Sequence, residues 1–202
     1  MLHLVKKDFF IHKNIILAML AVMIIYMLID ISPIFLGLLF AFTMSLHIFS
    51  SDEKIHTQVL LTSLPVTRKE IVSAKYIAAF LYNAIIIALL IAGSFIIDRN
   101  QPDWVLIGFV TITSLLIVAI VYPVCYKFES KYLMITFAIG FALYLLAANL
   151  FIEDLNLFLG EMITKAMDFM QGERLLLICL IALVLYIVSW SVSVKIYEKK
   201  VF

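Results

Sequence analysis

The chain has 202 residues, 65% of them hydrophobic and only 14% charged, with a formal net charge of +1. Soluble domains average about 45–50% apolar and about 25% charged residues, so this composition leaves too little polar surface to cover a water-soluble globule and reads as an integral membrane protein. The net charge itself says little and no nucleic-acid partner is expected; the information lies in where the charges stand.

From the N-terminus, Met1–Asn14 sets Leu2, Val5 and Phe9 on one side and Lys6, Lys7 and Lys13 elsewhere, the pattern of a helix lying in the membrane interface over 1–13. Six stretches then approach the roughly 20 apolar residues that a spanning helix needs: Asn14–Ile29, Pro33–Phe49, Tyr76–Ile97, Trp104–Tyr126, Tyr132–Ile152 and Leu175–Val194. The expected fold is one all-α membrane domain of six transmembrane helices over 1–202. The first two stretches meet at Asp30-Ile31-Ser32-Pro33. A single helix over both would be about 54 Å long, far beyond a hydrocarbon core of about 30 Å. A tight hairpin is expected instead, with Pro33 opening the second helix, where its missing N–H is harmless. The first span lacks a small-residue cleavage site and reads as an anchor, not a removed signal.

Residues 50–75 form the longest polar interruption of the first half, quoted with the next residue as SSDEKIHTQVLLTSLPVTRKEIVSAKY from Ser50 to Tyr76. Ser50 precedes Glu53 by three residues and Thr67 precedes Glu70 by three, two capping boxes in which a hydroxyl accepts from an amide and a carboxylate reaches back. Pro65 disfavours helix at Leu64. The stretch predicts a short helix over Ser51–Ser63, a break at Leu64-Pro65-Val66, and a second helix from near Arg68 that runs on into the third span. Ile55 and Val59, widened by Leu60, Leu61 and Thr62, give the short helix an apolar stripe.

The spans hold little that could do chemistry. The 15 basic and 14 acidic residues can all be placed outside them. A charge at a helix centre costs about 2.5–3.5 kcal/mol on insertion scales and marks function where it persists. An ion-driven transporter would keep such a carboxylate; an intramembrane protease would need an acid pair, a Ser–His pair or metal-ligating histidines. His3, His12 and His56 lie outside the spans and His47 near the end of the second, with no His-x-x-x-His or Glu-x-x-His spacing. No catalysis, metal or cofactor is expected in this chain. Cys125 and Cys179 sit in apolar runs and read as small hydrophobes. Thr43, Ser45, Asn83, Thr111, Thr113, Ser114, Asn149, Ser189, Ser191 and Ser193 are the uncharged polar residues within spans, and they read first as helix–helix hydrogen-bonding groups. As the lining of a substrate path the candidates are Asn83, Thr43 and Ser114.

Between the last two spans, Glu153–Glu173 sets Leu155, Phe158, Met162, Ala166 and Phe169 or Met170 at helical spacing, punctuated by Gly160 and Gly172. It reads as an outer amphipathic segment over 153–174. Orientation follows from lysine and arginine. With the N-terminus inside, the inner segments hold Lys6, Lys7, Lys13, Lys54, Arg68, Lys69, Lys75, Lys127, Lys131, Lys195, Lys199 and Lys200, and the outer ones only Arg99, Lys165 and Arg174. Cytoplasmic loops carry the excess of lysine and arginine, so both termini are expected in the cytoplasm and the domain in the cell membrane.

The stretch DEKIHTQVLLTSLPVTRKEIVSAKY resembles the loop between the second and third spans of ABC-2 type exporter permeases. There a Glu begins a coupling helix, a Leu-rich run leads to a Leu-Pro-Val-[Ser/Thr]-Arg turn, and Ile-Val-x-x-Lys opens the next helix. Glu53, Leu60, Leu61, Leu64, Pro65, Val66, Thr67, Arg68, Ile71, Val72 and Lys75 match, while the Gly-Thr pair common after the Glu stands here as His56-Thr57. More loosely the whole chain is similar, with six spans, both termini inside, a basic interfacial N-terminal helix and an outer segment comparable to that family's re-entrant one. The resemblance implies a non-catalytic permease whose coupling residues are Glu53, Lys54, Thr57, Leu60, Leu61, Pro65, Thr67 and Arg68. It implies a separate ATP-binding subunit that holds ATP and Mg, a second permease subunit, identical or related, and export of a hydrophobic or amphiphilic substrate such as a peptide. Six glycines, none in Gly-x-x-x-x-Gly-Lys-[Ser/Thr], leave no phosphate-binding loop in this chain. Arg68 and Lys69 are placed to meet lipid phosphates or the partner.

Two other classes compete. A six-span substrate-capture subunit of a vitamin importer has about this length, but such subunits dock through Ala-x-x-x-Ala on the first span, and Ala18 and Ala21 are three apart. A non-transporting membrane protein, such as an immunity or assembly factor, needs no coupling helix.

Overall fold

The computed structural model describes residues 33–52, 67–96, 101–128, 130–150 and 155–199, with isolated positions between 5 and 25 that are all helical. Every regular element among them is an α-helix: α1 Pro33–Asp52, α2 Arg68–Ile96, α3 Trp104–Lys127, α4 Ser130–Leu150, α5 Leu155–Phe169 and α6 Glu173–Lys199. Residues 53–66 lie outside the described residues, and with them Glu53, Lys54, Thr57, Leu60, Leu61 and Pro65.

Helix α1 opens on Pro33 as expected but continues past Phe49 to Asp52. Ser50 is therefore inside a helix, not in the extended conformation that an N-cap takes. As expected, α2 begins at Arg68, and it runs unbroken for 29 residues. At about 1.5 Å per residue that is about 44 Å, longer than a hydrocarbon core of about 30 Å. Helix α3 starts where the Asp103 carboxylate accepts from the amides of Val105 and Leu106, at 2.9 and 3.1 Å, which satisfies two of the four amides that a helix start leaves open. Between α5 and α6, Gly172 takes a φ of +65°, the left-handed region that glycine enters without a Cβ penalty. Gly160 does not punctuate: α5 is helical through it.

Among the described residues α2, α3 and α6 are long and apolar enough to cross a membrane, and Ile34–His47 and Ser130–Tyr144 are shorter apolar stretches in α1 and α4. Helix α5 has 15 residues, about 22 Å, too short to span and located where the outer amphipathic segment was expected.

Apolar on every side, α3 takes the centre of the bundle and packs on α1, α2 and α6. It buries Val110, Ile112, Val118 and Tyr122 almost completely. By contrast α4 turns Met134, Phe137, Ile139, Phe141 and Leu143 outward, a surface that only lipid or another protein can cover. Helices approach closely where glycine allows it. A Cβ at Gly37 of α1 would run into the Val110 side chain of α3, and one at Gly108 of α3 would come within 2.7 Å of Leu175 of α6. Gly37→Ala is expected to destabilise the bundle by about 1 kcal/mol, and Val110→Ala in the same chain to recover most of it. Detergent unfolding reads both, and an equal cost in the two backgrounds would put the clash elsewhere.

The end of α1, the start of α2, the end of α3 and the end of α6 gather at one end of the bundle. There Phe49 meets Tyr126 with ring centroids 4.9 Å apart, and Tyr126 meets Tyr197 at 5.3 Å. Arg68, Lys69, Lys75, Lys127, Lys195 and Lys199 belong to these segments, which makes this the basic end.

Candidate functional site

The candidate site is the junction of α2 with α6 and α3 at the basic end. It begins with the capping box read in the sequence. The Thr67 amide donates to Glu70 Oε2 at 2.9 Å, the Glu70 amide donates to Thr67 Oγ1 at 3.3 Å, and the Thr67 hydroxyl donates to the same carboxylate oxygen at 2.9 Å. The bond from the Thr67 amide first, and that from its hydroxyl second, hold the Glu70 carboxyl below its usual range. A lowered folded pKa means the cap is complete above the ordinary glutamate value of about 4.3 and is lost as pH falls through the lower folded value. Protection of the Glu70 amide from hydrogen exchange should therefore drop in acid. Glu70→Gln, which keeps the box without a titrating group, should flatten that profile.

Arg68 is the next residue of the site. Its Nη1 donates to the backbone carbonyls of Glu198 at 2.8 Å and Tyr197 at 3.3 Å. These are last-turn carbonyls of α6, which have no partner within their own helix, and the guanidinium meets the negative end of the helix dipole. The residue expected to face lipid or a partner thus ties the start of α2 to the end of α6. Beside it the Lys69 ammonium lies 5.5 Å from the Trp190 ring centroid, and Trp190 Nε1 donates to Ser73 Oγ at 3.0 Å.

Two turns into α2 a polar chain crosses three helices. Pro123 lies inside α3 and has no N–H, so the carbonyl four residues earlier, that of Ala119, loses its helical partner. Ser189 of α6 donates to that carbonyl at 2.6 Å, the kind of side-chain repair that lets proline stand in a membrane helix. With its one proton so used, Ser189 must accept from the Tyr76 hydroxyl, 2.8 Å away. Tyr76 has then donated its own proton, so Ser193, also at 2.8 Å, must donate to it. The run is Ser193 to Tyr76 to Ser189 to Ala119, with every proton assigned. Tyr186, on the same face of α6, donates to the Tyr76 backbone carbonyl at 2.7 Å. Tyr76 stands edge-on to Tyr122 and Tyr186, and Phe49 edge-on to Tyr122 and Tyr126, arrangements that the ring quadrupoles favour.

Lys75, within the helix expected from near Arg68, is a helical residue of α2, 4% exposed, with its ammonium 4.9 Å from the Phe49 ring centroid. Sequence reasoning passed over Tyr76 and Tyr186. The available signals were Pro123 inside an apolar span and Ser189 and Ser193 one helical turn apart. Ser189 and Ser193 do what their helix–helix reading anticipated.

The three path candidates are not brought together. Asn83 is buried and donates to the Ala79 carbonyl at 3.1 Å; it lines a void of about 10 Å³ with Ser45, Met44 and Tyr82, room for one water at most. Thr43 and Ser114 do not line it and bond back to carbonyls of their own helices, Leu39 at 2.8 Å and Thr111 at 2.8 Å. The arrangement is a set of hydrogen bonds that join α2, α6 and α3.

A family model described as ABC-2 family transporter protein matches residues 3–198, nearly the whole chain. No curated protein and no solved structure matches it. With an all-helical apolar bundle and a loop that resembles those of ABC-2 permeases, the chain belongs to the ABC-2 transporter family and is the membrane component of such a transporter.

Proposed function

We propose that the chain is the permease subunit of an ABC-2 exporter in the cell membrane, with six spans, both termini in the cytoplasm and the basic end facing the cytoplasm. The family match over 3–198 carries this reading, and it weighs against the vitamin-importer and immunity-factor alternatives. ATP and Mg are held by a separate ATP-binding subunit that seats the loop through Glu53, Lys54, Thr57, Leu60, Leu61 and Pro65, with Thr67 and Arg68 passing its motion on. The helix on the far side of the loop supports this: α2 is continuous from Arg68 to Ile96, and Arg68, Trp190 and Tyr76 tie it to α6. A push on the loop then moves two spanning helices as a pair. The void beside Asn83 is too small for any solute, so the path for a hydrophobic or amphiphilic substrate, a peptide for example, opens between this chain and a second permease. Asn83, Thr43 and Ser114 are the residues we assign to its lining; Asn83 and Ser114 are buried inside this chain, so they reach the path once its helices part, and the outward apolar surface of α4 is where a second subunit has room.

The test joins topology to function. In a chain lacking Cys125 and Cys179, single cysteines at positions 103 and 165 should react with an impermeant reagent from outside, and those at 69 and 131 only after permeabilisation. Reconstituted with its ATP-binding subunit, the chain should raise ATP hydrolysis severalfold. External labelling at position 69 overturns the orientation and the coupling argument with it; no stimulation overturns the permease role.

A further inference from the structure

The seam between α2 and α6 leaves a groove of about 380 Å³ on the outside of the bundle, lined by Ser73, Ile77, Phe80, Tyr186, Ile187 and Trp190 among others. Its volume is that of a small-molecule site, and Ile77, Phe80 and Ile187 are well exposed along it. Its basic end is different in kind. Lys69 lies one turn before Ser73, whose hydroxyl donates to the Lys69 carbonyl at 2.8 Å, so the lysine shares the groove's face of α2. Its ammonium lies over Trp190, the aromatic that belongs at a membrane–water boundary. Arg68 adds a second positive charge in the same turn, and the acid of that turn, Glu70, is engaged by Thr67.

We infer that this groove is a binding site for one anionic phospholipid, with an acyl chain along Ile77, Phe80 and Ile187 and the phosphate at Lys69. An apolar trough in a bilayer is filled by an acyl chain whatever the headgroup. The cation at its mouth converts that filling into selection, because a basic pocket between spanning helices attracts anionic headgroups. The site sits on the two helices that the coupling loop is proposed to drive, so the bound lipid would bias their position. This inference rests on the reading that the chain spans a bilayer with α2 and α6.

Trp190 reports on the groove directly, since Trp104 is the other tryptophan of the chain. In a Trp104→Phe variant, fluorescence is measured in vesicles of phosphatidylcholine and phosphatidylglycerol, with brominated acyl chains carried by one lipid or the other at equal mole fraction. Brominated phosphatidylglycerol should quench with a relative binding constant about fivefold above brominated phosphatidylcholine. Lys69→Gln should bring the ratio near one, Lys69→Arg should keep it, and Lys131→Gln, on α4, should leave it unchanged. Equal quenching by both lipids in the Lys69 chain overturns headgroup selection while leaving the spans in place. Quenching by neither, with helix content intact, means that protein closes the groove or that α6 is not in the bilayer, and it overturns the inference together with the reading beneath it.

Discussion

Ser189→Ala is expected to destabilise the bundle by about 1–3 kcal/mol. The substitution removes two bonds at once: the one to the Ala119 carbonyl and the one from Tyr76. In lipid a single interhelical hydrogen bond contributes about 0.6 kcal/mol on average. The excess here comes from stranding a carbonyl that Pro123 has already deprived of its helical partner. That origin makes a sharper expectation. Pro123→Ala restores an N–H to Ala119, so in that background Ser189→Ala should cost less than about 1 kcal/mol. A double-mutant cycle in detergent unfolding measures the difference. Equal costs in the two backgrounds would falsify the idea that the serine exists to answer the proline. Tyr122→Phe is the control: its hydroxyl is fully buried and has no partner among the described residues, so its removal should be neutral or stabilising.

Simultaneous replacement of Pro65 and Thr67 by alanine should cost most of the export activity while leaving expression and span number unchanged. Thr67 closes the cap that starts α2, and a proline at 65 is expected to disfavour helix at Leu64. With both gone, α2 is free to extend backwards into the loop proposed to seat on the ATP-binding subunit. Losing a cap shifts a helix boundary by about 0.5–2 kcal/mol. If seating needs that boundary, affinity for the ATP-binding subunit should fall by between about twofold and thirtyfold, with each single change doing less. Glu53→Ala should act differently, sparing association and separating ATP hydrolysis from export, if Glu53 is the subunit contact proposed above. Titration of the ATP-binding subunit in detergent and transport in vesicles distinguish the two. Normal affinity and normal transport in the double variant would mean that the bend does not present the loop.

Helix positions were legible because they depend on local terms. The apolar runs marked α2, α3 and α6 to within a few residues, Pro33 marked the start of α1, and the Thr67–Glu70 box marked the start of α2. Composition and the loop residues together pointed to the family that the match over 3–198 shows. The same local reasoning misjudged Ser50, which α1 runs through to Asp52, and Gly160, whose cost of about 1 kcal/mol against alanine does not stop α5.

What the linear chain could not reveal is which residues far apart in it answer each other. Arg68 was legible as a cation, but only the fold brings it to the open carbonyls of Tyr197 and Glu198. Lys75 was legible as a basic residue near the start of α2, but only the packing of α1 on α2 sets it over Phe49. Pro123, which the sequence reading passed over, breaks the α3 hydrogen-bond ladder, and its remedy is Ser189 on another helix. The division has a physical cause: capping, periodicity and proline act within a few residues along the chain, whereas in lipid an unpaired polar group must find its partner wherever the helices happen to meet.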